Sequence, residues 1–323
     1  MKVCIVGAGA IGGWIAGMLA EAGHEVSLFA RGETLAAVRA NGLRIRRGGT
    51  ETARRLKVSN DPAELGKQDC VIAAVKGQAM PAVAPAIVAL CGTETIVVPA
   101  LNGIPWWYFH VTGVTFEGLA LASVDPDGAI GRALAPERVL GCVVHASAWT
   151  PEPGLVEVQG EDRLILGEPD GSRSPRVRAL ADAFGETRVK PVVSETIRRD
   201  IWTKLWGNMT MNPLSVLTGA TTLAMLSDPD VRGLVRAMML EMQEIGTRIG
   251  LPIPMTPEAR MDVTRRLGAI KTSMLRDWEA GREIELQPIL GVLAEIADHV
   301  RCPAPYLHAV LGLVRVKAAQ RTA

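Results

Sequence analysis

Three polar side chains recur at four-residue intervals in an otherwise apolar segment of the second half of the chain. Lys204, Asn208 and Asn212 lie within residues 201–213, among isoleucine, leucine, tryptophan and methionine. Residues four apart share one face of a helix, so the ammonium and the two amides form a polar stripe. Burying such groups is costly unless each has a partner. The stripe predicts a site for a polar ligand or, alternatively, a helix face that is turned toward solvent.

A glycine-rich turn follows the first apolar run, Lys2–Val6, and begins a helix of small residues. Its sequence is Gly7-Ala8-Gly9-Ala10-Ile11-Gly12. In such a turn the first glycine permits the tight bend, the second lets the backbone approach a pyrophosphate, and the third lets helix and strand pack closely. The helix N-terminus then presents N–H groups and a positive dipole end to the phosphates. The pattern predicts a bound dinucleotide; the alternative is a tight turn with nothing bound.

The end of the second predicted strand distinguishes between the two nicotinamide cofactors. NAD enzymes usually place an acid there for the ribose hydroxyls, whereas NADP enzymes place an arginine for the 2′-phosphate. Here Ala30 fills the acid position and Arg31 follows it. Glu33 is the only rival acid and lies beyond Gly32. We therefore predict NADPH, the alternative being that Arg31 is an ordinary loop charge.

Two further polar positions follow predicted strands. Lys76 comes after the apolar residues 71–75, and Asn102 with Gly103 follows residues 95–98. Open α/β sheets bind ligands beyond the carboxyl ends of their strands, so both side chains are candidates for contact with cofactor or substrate. Ordinary turn chemistry is the other interpretation.

A second polar cluster occupies residues 272–285. Ser273 is a candidate ligand-binding hydroxyl, or it caps the helix that begins there. Glu283 and Glu285 precede another predicted helix, where carboxylates favour the positive end of the helix dipole.

The elements that must position these residues fall into two groups. Strand and helix signals, among them an alanine-rich helical stretch at 80–90, alternate through the first half. This alternation predicts a Rossmann-type, doubly wound parallel sheet in an α/β domain. A polar stretch at residues 43–58 indicates a hairpin or an irregular excursion. Strands without long helices follow residue 139, among them two short strands at 155–158 and 163–166. From Ser194 the apolar periodicity is almost entirely helical, and it predicts four long helical segments at 197–217, 231–249, 289–300 and 306–317. We predict a cofactor-binding domain at 1–193 and a helical catalytic domain at 194–323, with the reaction between them.

Composition narrows the class of partner. The 323 residues carry 35 basic and 34 acidic side chains without a basic stripe, which disfavours nucleic acid and anionic membranes as partners. No apolar run approaches the roughly 18 residues needed to span a bilayer. The five cysteines are scattered, as expected of reduced thiols in a cytoplasmic protein, and the histidines show no metal-ligand spacing. The apolar terminal helices permit a homodimer.

These motifs together resemble the ketopantoate reductase (2-dehydropantoate 2-reductase) family over nearly the whole length of the chain. The matching motifs are GAGAIG at 7–12, ARG at 30–32, Lys76, LNG at 101–103, KLWGNMTMNPLS at 204–215 and SMLRDWEAGREIE at 273–285. The resemblance implies a Rossmann domain followed by an all-helical domain of the type found at the C-terminus of 6-phosphogluconate dehydrogenase. It also implies NADPH-dependent reduction of a 2-oxo acid to a 2-hydroxy acid, namely 2-dehydropantoate to (R)-pantoate in pantothenate biosynthesis.

The family roles can be carried over where the motifs match. The resemblance implies that Lys204 is the catalytic lysine and that Asn208, Asn212 and Ser273 bind substrate. Asn102 would lie near both the nicotinamide and the reactive carbonyl. Glu285 falls in the register of the family's glutamate, which holds the lysine and a substrate hydroxyl, and Glu283 is its competitor.

The sequence departs from the family in three places. Residues 219–222 read Gly-Ala-Thr-Thr, where many members carry a further substrate-contacting asparagine, and residues 286–288 read Leu-Gln-Pro, where an acid, Tyr and Asn are usual. Trp106, Trp107 and Tyr108 follow the Asn102 turn, either as local packing or a dimer contact, or as part of a pocket for a bulkier substrate. Two other functions stay open: a related β-hydroxyacid or imine-type reductase, and a non-catalytic NADPH sensor. Retention of Lys204 and Glu285 argues against the sensor.

Overall fold

A computed structural model describes residues 1–185 and 187–322 of the chain. Contacts between residues divide it into two compact units. The first contains residues 1–101, 110–112 and 128–198, and the second contains residues 102–109, 113–127 and those from 199 onward. The predicted boundary after residue 193 thus lies five residues before the last change of unit, and most of the segment 102–127, predicted to be in the first domain, belongs to the second unit.

The first unit alternates strands and helices. Its elements in chain order are β1 (Lys2–Val6), α1 (Ala10–Glu21), β2 (Glu25–Phe29), α2 (Gly32–Asn41), β3 (Leu43–Arg47), β4 (Thr50–Arg54), β5 (Lys57–Ser59), α3 (Pro62–Leu65), β6 (Gln68–Ala73), α4 (Met80–Leu90), β7 (Cys91–Pro99), α5 (Ala129–Ala133), β8 (Gly141–Glu152), β9 (Leu155–Gly167), α6 (Pro175–Asp182) and β10 (Val192–Val193).

A five-stranded parallel sheet forms the centre of this unit, with the strand order β5-β2-β1-β6-β7. The central strand β1 pairs on both sides, with Val3 opposite Val26 of β2 and opposite Cys70 of β6. Residues 3–6 are fully buried, because helices cover both faces of a parallel sheet and its strands must be apolar throughout. This sheet confirms the predicted Rossmann-type fold.

A second sheet, with the order β10-β9-β3-β4 and with β8 paired to β9, occupies the rest of the unit. Its β3 and β4 are antiparallel, so the polar stretch at 43–58 contains a hairpin. The two short strands predicted at 155–158 and 163–166 are one strand, β9. Its pairing with β8 shifts register between His145 and Ser147, and this irregularity lets the ladder continue past the polar residues that interrupt the apolar pattern.

The second unit is helical. Its elements are α7 (Ile197–Thr218, whose first two residues belong to the first unit), α8 (Thr222–Ser227), α9 (Pro229–Arg248), α10 (Pro257–Arg266), α11 (Ser273–Glu279), a π-helical turn (Gln287–Gly291), α12 (Val292–His299) and α13 (Pro305–Thr322). The four predicted apolar-periodic segments correspond to α7, α9, the π-turn with α12, and α13. Within the described residues, no helix is both long and apolar enough to cross a bilayer.

The segment after residue 101 joins the second unit because its side chains are core residues there. Trp106 is 3% exposed, and Trp107, Tyr108 and Phe109 are fully buried. The rings of Tyr108 and Phe109 meet edge to face, with centroids 5.3 Å apart. Large aromatic side chains contribute much of the stability of a core, so this cluster ties the loop to the helices. The cluster is packing rather than the lining of an open substrate pocket.

Candidate active site

The glycine turn between β1 and α1 has the conformation that its sequence predicts. Gly7 has φ +99°, and a Cβ on it would lie 2.7 Å from Val75 Cγ1 and 2.8 Å from the carbonyl oxygen of Ala74. At Gly12 a Cβ would overlap the carbonyl oxygen of Gly7. Neither position can hold another residue without a backbone shift, so the turn brings the start of α1 tightly against the end of β1.

The N-terminus of α1 is open to a ligand. Gly9 is the residue that precedes the helix, no side chain caps the helix there, and the first turn carries no acidic residue. A Cβ on Gly9 would meet no atom within 4 Å, so the space above it is free. Ala8 is buried below the turn, while Ala10 and Ile11 begin the helix half-buried. This geometry fits a phosphate group, which the N–H groups and dipole of a helix N-terminus stabilise.

A cavity of about 130 Å³ extends from this turn to the start of α2. Gly7, Gly9, Ala30, Arg31 and Thr34 are among the residues that line it. Arg31 is exposed at the position preceding α2, and its guanidinium fits the role of a partner for the 2′-phosphate of NADP. The sequence analysis missed Thr34, although its position three residues after Arg31 on the first turn of a helix was a usable signal. Glu33, the rival acid, does not line the cavity.

Lys76 lies in the first unit at the same edge of the sheet. It follows β6, which pairs in parallel with β1, so the ends of both strands lie side by side. Its backbone is extended and leads into a short 3-10 turn, Gly77–Ala79, and its side chain is half-buried. The contact of Lys76 with the cofactor stays a prediction.

A chain of hydrogen bonds joins three predicted site residues in the second unit. The ammonium Nζ of Lys204 donates to Asn102 Oδ1 at 2.9 Å. The amide Nδ2 of Asn102 in turn donates to Glu285 Oε2 at 3.1 Å. An amide can accept from a cation and donate to an anion at once, so Asn102 connects the lysine to the carboxylate and restrains both. Glu283 is exposed, whereas Glu285 is half-buried.

The position of Asn102 depends on a close contact with the π-helical turn. Gly103 has φ +83°, and a Cβ there would overlap the carbonyl group of Pro288. The backbone N–H of Ile104 donates to the carbonyl oxygen of Pro288 at 3.2 Å. Because the π-turn begins two residues after Glu285, the same contact brings the amide of Asn102 against that carboxylate. Single π-helical turns of this kind are frequent at functional sites.

The polar stripe on α7 lies on a part of the helix that is mostly buried. Within residues 201–216, every residue is buried except Thr203, Lys204 and Asn208. Asn212, four residues further on, is only 5% exposed, so the stripe is not a solvent-facing helix surface. In the part of the chain that the structure describes, no hydrogen bond of the Asn208 or Asn212 side chain is seen. Polar groups in this state are the ones that a polar ligand would satisfy.

Ser273 is not the cap of its helix. Thr272 precedes α11, and its Oγ1 accepts a hydrogen bond from the N–H of Leu275 at 3.1 Å and pairs with Ser215 Oγ at 2.6 Å. The capping interpretation of Ser273 was wrong by one residue, because the backbone leaves its extended conformation at 272. Ser273 is exposed at the first residue of α11, where its hydroxyl is available to a ligand.

The two threonines at the position of the family's missing asparagine have structural roles. Thr221 caps α8 by accepting from the N–H of Ala224, and Thr222 Oγ1 donates to the carbonyl oxygen of Gly268 at 3.0 Å. Both hydroxyls therefore hold the backbone of the second unit.

Two family models match the chain. The model described as "Ketopantoate reductase PanE/ApbA" matches residues 3–171, and the model described as "Ketopantoate reductase PanE/ApbA C terminal" matches residues 196–318. Together they cover both units.

Similar proteins match along their whole length. A 2-dehydropantoate 2-reductase from Mesorhizobium japonicum shares 42% identity, and the match covers 99% of this chain and 99% of that protein. The structure of a proposed ketopantoate reductase from Ralstonia solanacearum MolK2 shares 46% identity, with a TM-score of 0.96 over 99% of this chain and 98% of that one. That of 2-dehydropantoate 2-reductase from Methylococcus capsulatus shares 29% identity, with a TM-score of 0.85 over 100% of this chain and 98% of that one. Enzymes with the name 2-dehydropantoate 2-reductase are oxidoreductases that act on CH–OH groups.

Proposed function

The chain belongs to the ketopantoate reductase family, and from this premise we propose that it reduces 2-dehydropantoate to (R)-pantoate with NADPH, as in pantothenate biosynthesis. The family supplies the reaction class, an oxidoreductase acting on CH–OH groups. The choice of substrate follows the relatives' names, and the choice of cofactor follows Arg31. The residues of the second unit supply the chemistry.

The hydrogen-bonded chain of Lys204, Asn102 and Glu285 is the observation that carries this proposal. An ammonium that donates to an amide oxygen at 2.9 Å is held in a defined position. The carboxylate fixes the other end of the amide. A protein that only binds a cofactor needs no such arrangement, so the sensor alternative lacks support.

The residues of the second unit account for the fate of the substrate's oxygen. The chemistry that bound NADPH supplies is a hydride for the carbonyl carbon. Reduction places negative charge on the ketone oxygen, where the ammonium of Lys204 stabilises it and then donates the proton. Asn102 and Glu285 orient that ammonium, which avoids a loss of conformational freedom during the reaction. Asn208, Asn212 and Ser273 bind the remaining polar atoms of the substrate.

The first unit provides a fitting cradle for the cofactor. The pyrophosphate would be held by the N–H groups at the Gly9 end of α1, and the 2′-phosphate by Arg31 with Thr34 beside it. Lys76 lies at the same sheet edge, where its charge favours an anionic ligand. These residues would bind and orient the cofactor and take no part in proton transfer.

A panel of 2-oxo acids, each assayed with NADPH and with NADH, tests the proposal. The loss of reduced-nicotinamide absorbance measures turnover. We expect 2-dehydropantoate to be reduced with the highest kcat/KM and NADPH to be preferred over NADH. Lys204→Ala should lose most of its turnover, by about 10²-fold or more, and should still bind NADPH. Lys67→Ala, an exposed lysine that donates to Ala89 in the first unit, is the control and should retain full activity.

Three results would contradict the proposal in different ways. A near-normal kcat for Lys204→Ala would remove the mechanism. Efficient reduction of other carbonyls or imines, with none of 2-dehydropantoate, would replace the substrate. NADPH binding without turnover of any compound would indicate a sensor.

A further inference from the structure

Arg260 of α10 packs against the helix that carries the polar stripe. Its guanidinium covers the backbone of α7 at Gly207, where a Cβ would overlap Nη2 and lie 2.9 Å from Cζ. Gly207 comes three residues after Lys204 and one residue before Asn208. Residues three apart on a helix are neighbours, so the guanidinium lies about one helical turn from the base of the lysine side chain.

The charge of Arg260 has no counterion among the residues that the structure describes. The two acidic side chains of α10 pair with other arginines, at 2.6 Å and 3.4 Å. The hydrogen bond that Arg260 Nη1 donates goes to the neutral hydroxyl of Thr264, at 3.0 Å. Burial partly removes the guanidinium from water and thereby lowers the pKa of Arg260. A half-buried cation in this condition is unfavourable unless an anion binds to it.

Arg260 also lies beside the part of α7 that is incompletely buried. Thr203, Lys204 and Asn208 are the incompletely buried residues in the stretch 201–216, and Thr203 and Lys204 are helical neighbours of Gly207. Arg260 is itself half-buried, so part of its side chain remains accessible. The guanidinium and the base of the lysine side chain thus lie close together on this part of α7.

We infer that Arg260 binds the carboxylate of the substrate, an inference that rests on the proposed reduction of a 2-oxo acid. In such an acid the carboxylate is bonded directly to the ketone carbon, so a ligand whose ketone oxygen meets Lys204 carries its anionic group close beside it. The planar guanidinium pairs with both oxygens of a carboxylate, which the point charge of an ammonium cannot do. Arg260 therefore selects 2-oxo acids over neutral ketones.

Kinetics with 2-dehydropantoate and with its neutral carboxamide test this role. Arg260→Met keeps the length and the apolar stem that covers Gly207 but removes the charge. We expect its kcat/KM for the acid to fall about 100-fold, mainly through KM, and its kcat/KM for the amide to change by less than about 3-fold. Arg266→Met, on the last turn of the same helix and exposed, is the matched control and should leave both values unchanged.

The outcomes separate this inference from the proposed function. Equal losses for acid and amide, or no loss for the acid, would overturn the role of Arg260 while leaving the reductase intact. If Arg260→Met does not fold, Arg260→Lys replaces it; loss of the bidentate pair should lower kcat/KM for the acid alone, by about 10-fold. If wild type reduces neither compound, the proposed function fails, and calorimetry with 2-dehydropantoate decides the inference. If 2-dehydropantoate binds to wild type and to Arg266→Met but not to Arg260→Met, the role of Arg260 is supported. Any other pattern of binding contradicts that role.

Discussion

Asn102→Ala removes the centre of the hydrogen-bonded chain without touching either charged group. The substitution deletes the acceptor for Lys204 at 2.9 Å and the donor to Glu285 at 3.1 Å. The ammonium and the carboxylate remain, but the amide no longer fixes their orientation. We therefore expect an enzyme that binds its ligands and turns them over slowly.

The size of the effect follows from the two bonds. A hydrogen bond to a charged group contributes about 1.5–3 kcal/mol, and a half-buried site keeps less of this than a dry interior. If about 3 kcal/mol of the combined contribution acts on the transition state, kcat falls by about two orders of magnitude, since 1.36 kcal/mol corresponds to tenfold. Because the same bonds exist before the reaction, KM for the 2-oxo acid should change less than kcat.

Steady-state kinetics with NADPH and 2-dehydropantoate give kcat and both KM values, and calorimetry gives the Kd of NADPH. Asn41→Ala is the control, because Asn41 is the exposed last residue of α2 in the first unit. Asn102→Asp adds a sharper comparison: it keeps the acceptor for Lys204 but sets a second carboxylate against Glu285, and the repulsion should make the loss of activity depend on pH.

A result with kcat preserved and the Kd of NADPH raised would refute this reasoning. It would mean that Asn102 acts on the cofactor and that its bonds to Lys204 and Glu285 have no part in the reaction. Unchanged kinetics in both variants would refute it as well.

Three other predictions concern single positions. Gly103→Ala should destabilise the second unit by about 3 kcal/mol, because its φ of +83° and the adjacent carbonyl group both exclude a Cβ. Thermal unfolding should show a lower Tm for this variant. The control Gly233→Ala, whose Cβ has open space in α9, should raise the Tm slightly. Arg31→Ala should raise KM for NADPH about tenfold or more and leave KM for NADH unchanged, because only NADPH carries the 2′-phosphate. Arg39→Ala, in the helix that follows Arg31, is the control. Equal changes in the two KM values would exclude a contact to the 2′-phosphate. Burial raises the pKa of the Cys4 thiol from 9.0 to about 11, so above pH 9 the unfolded chain loses this proton first. The free energy of unfolding therefore falls with rising pH until about pH 11. Denaturant titrations across this range should show a smaller fall for Cys4→Ala, and the same dependence of unfolding free energy on pH in both proteins would contradict this.

The local patterns of the sequence were sufficient for the elements and for the cofactor turn. The helix at residues 80–90 was predicted with the bounds that it has, and the periodicity of residues 197–217 identified α7 to within one residue. The roles of Gly7 and Gly12 also followed from the sequence, because a strand, a tight turn and a helix are adjacent in the chain. Such features depend on interactions between residues a few positions apart, which a sequence pattern displays directly.

Contacts between distant parts of the chain decided the rest. The sequence placed Asn102 at the edge of the sheet, yet its place in the second unit depends on buried aromatic residues after it and on the backbone of Pro288. No local pattern indicated that Arg260 would cover Gly207, or that the carboxylate of Glu285 would accept a hydrogen bond from an amide 183 residues away. These contacts result from the burial of apolar side chains throughout the unit. The hydrophobic effect is non-directional, so only the close packing of the tertiary structure determines which surfaces meet.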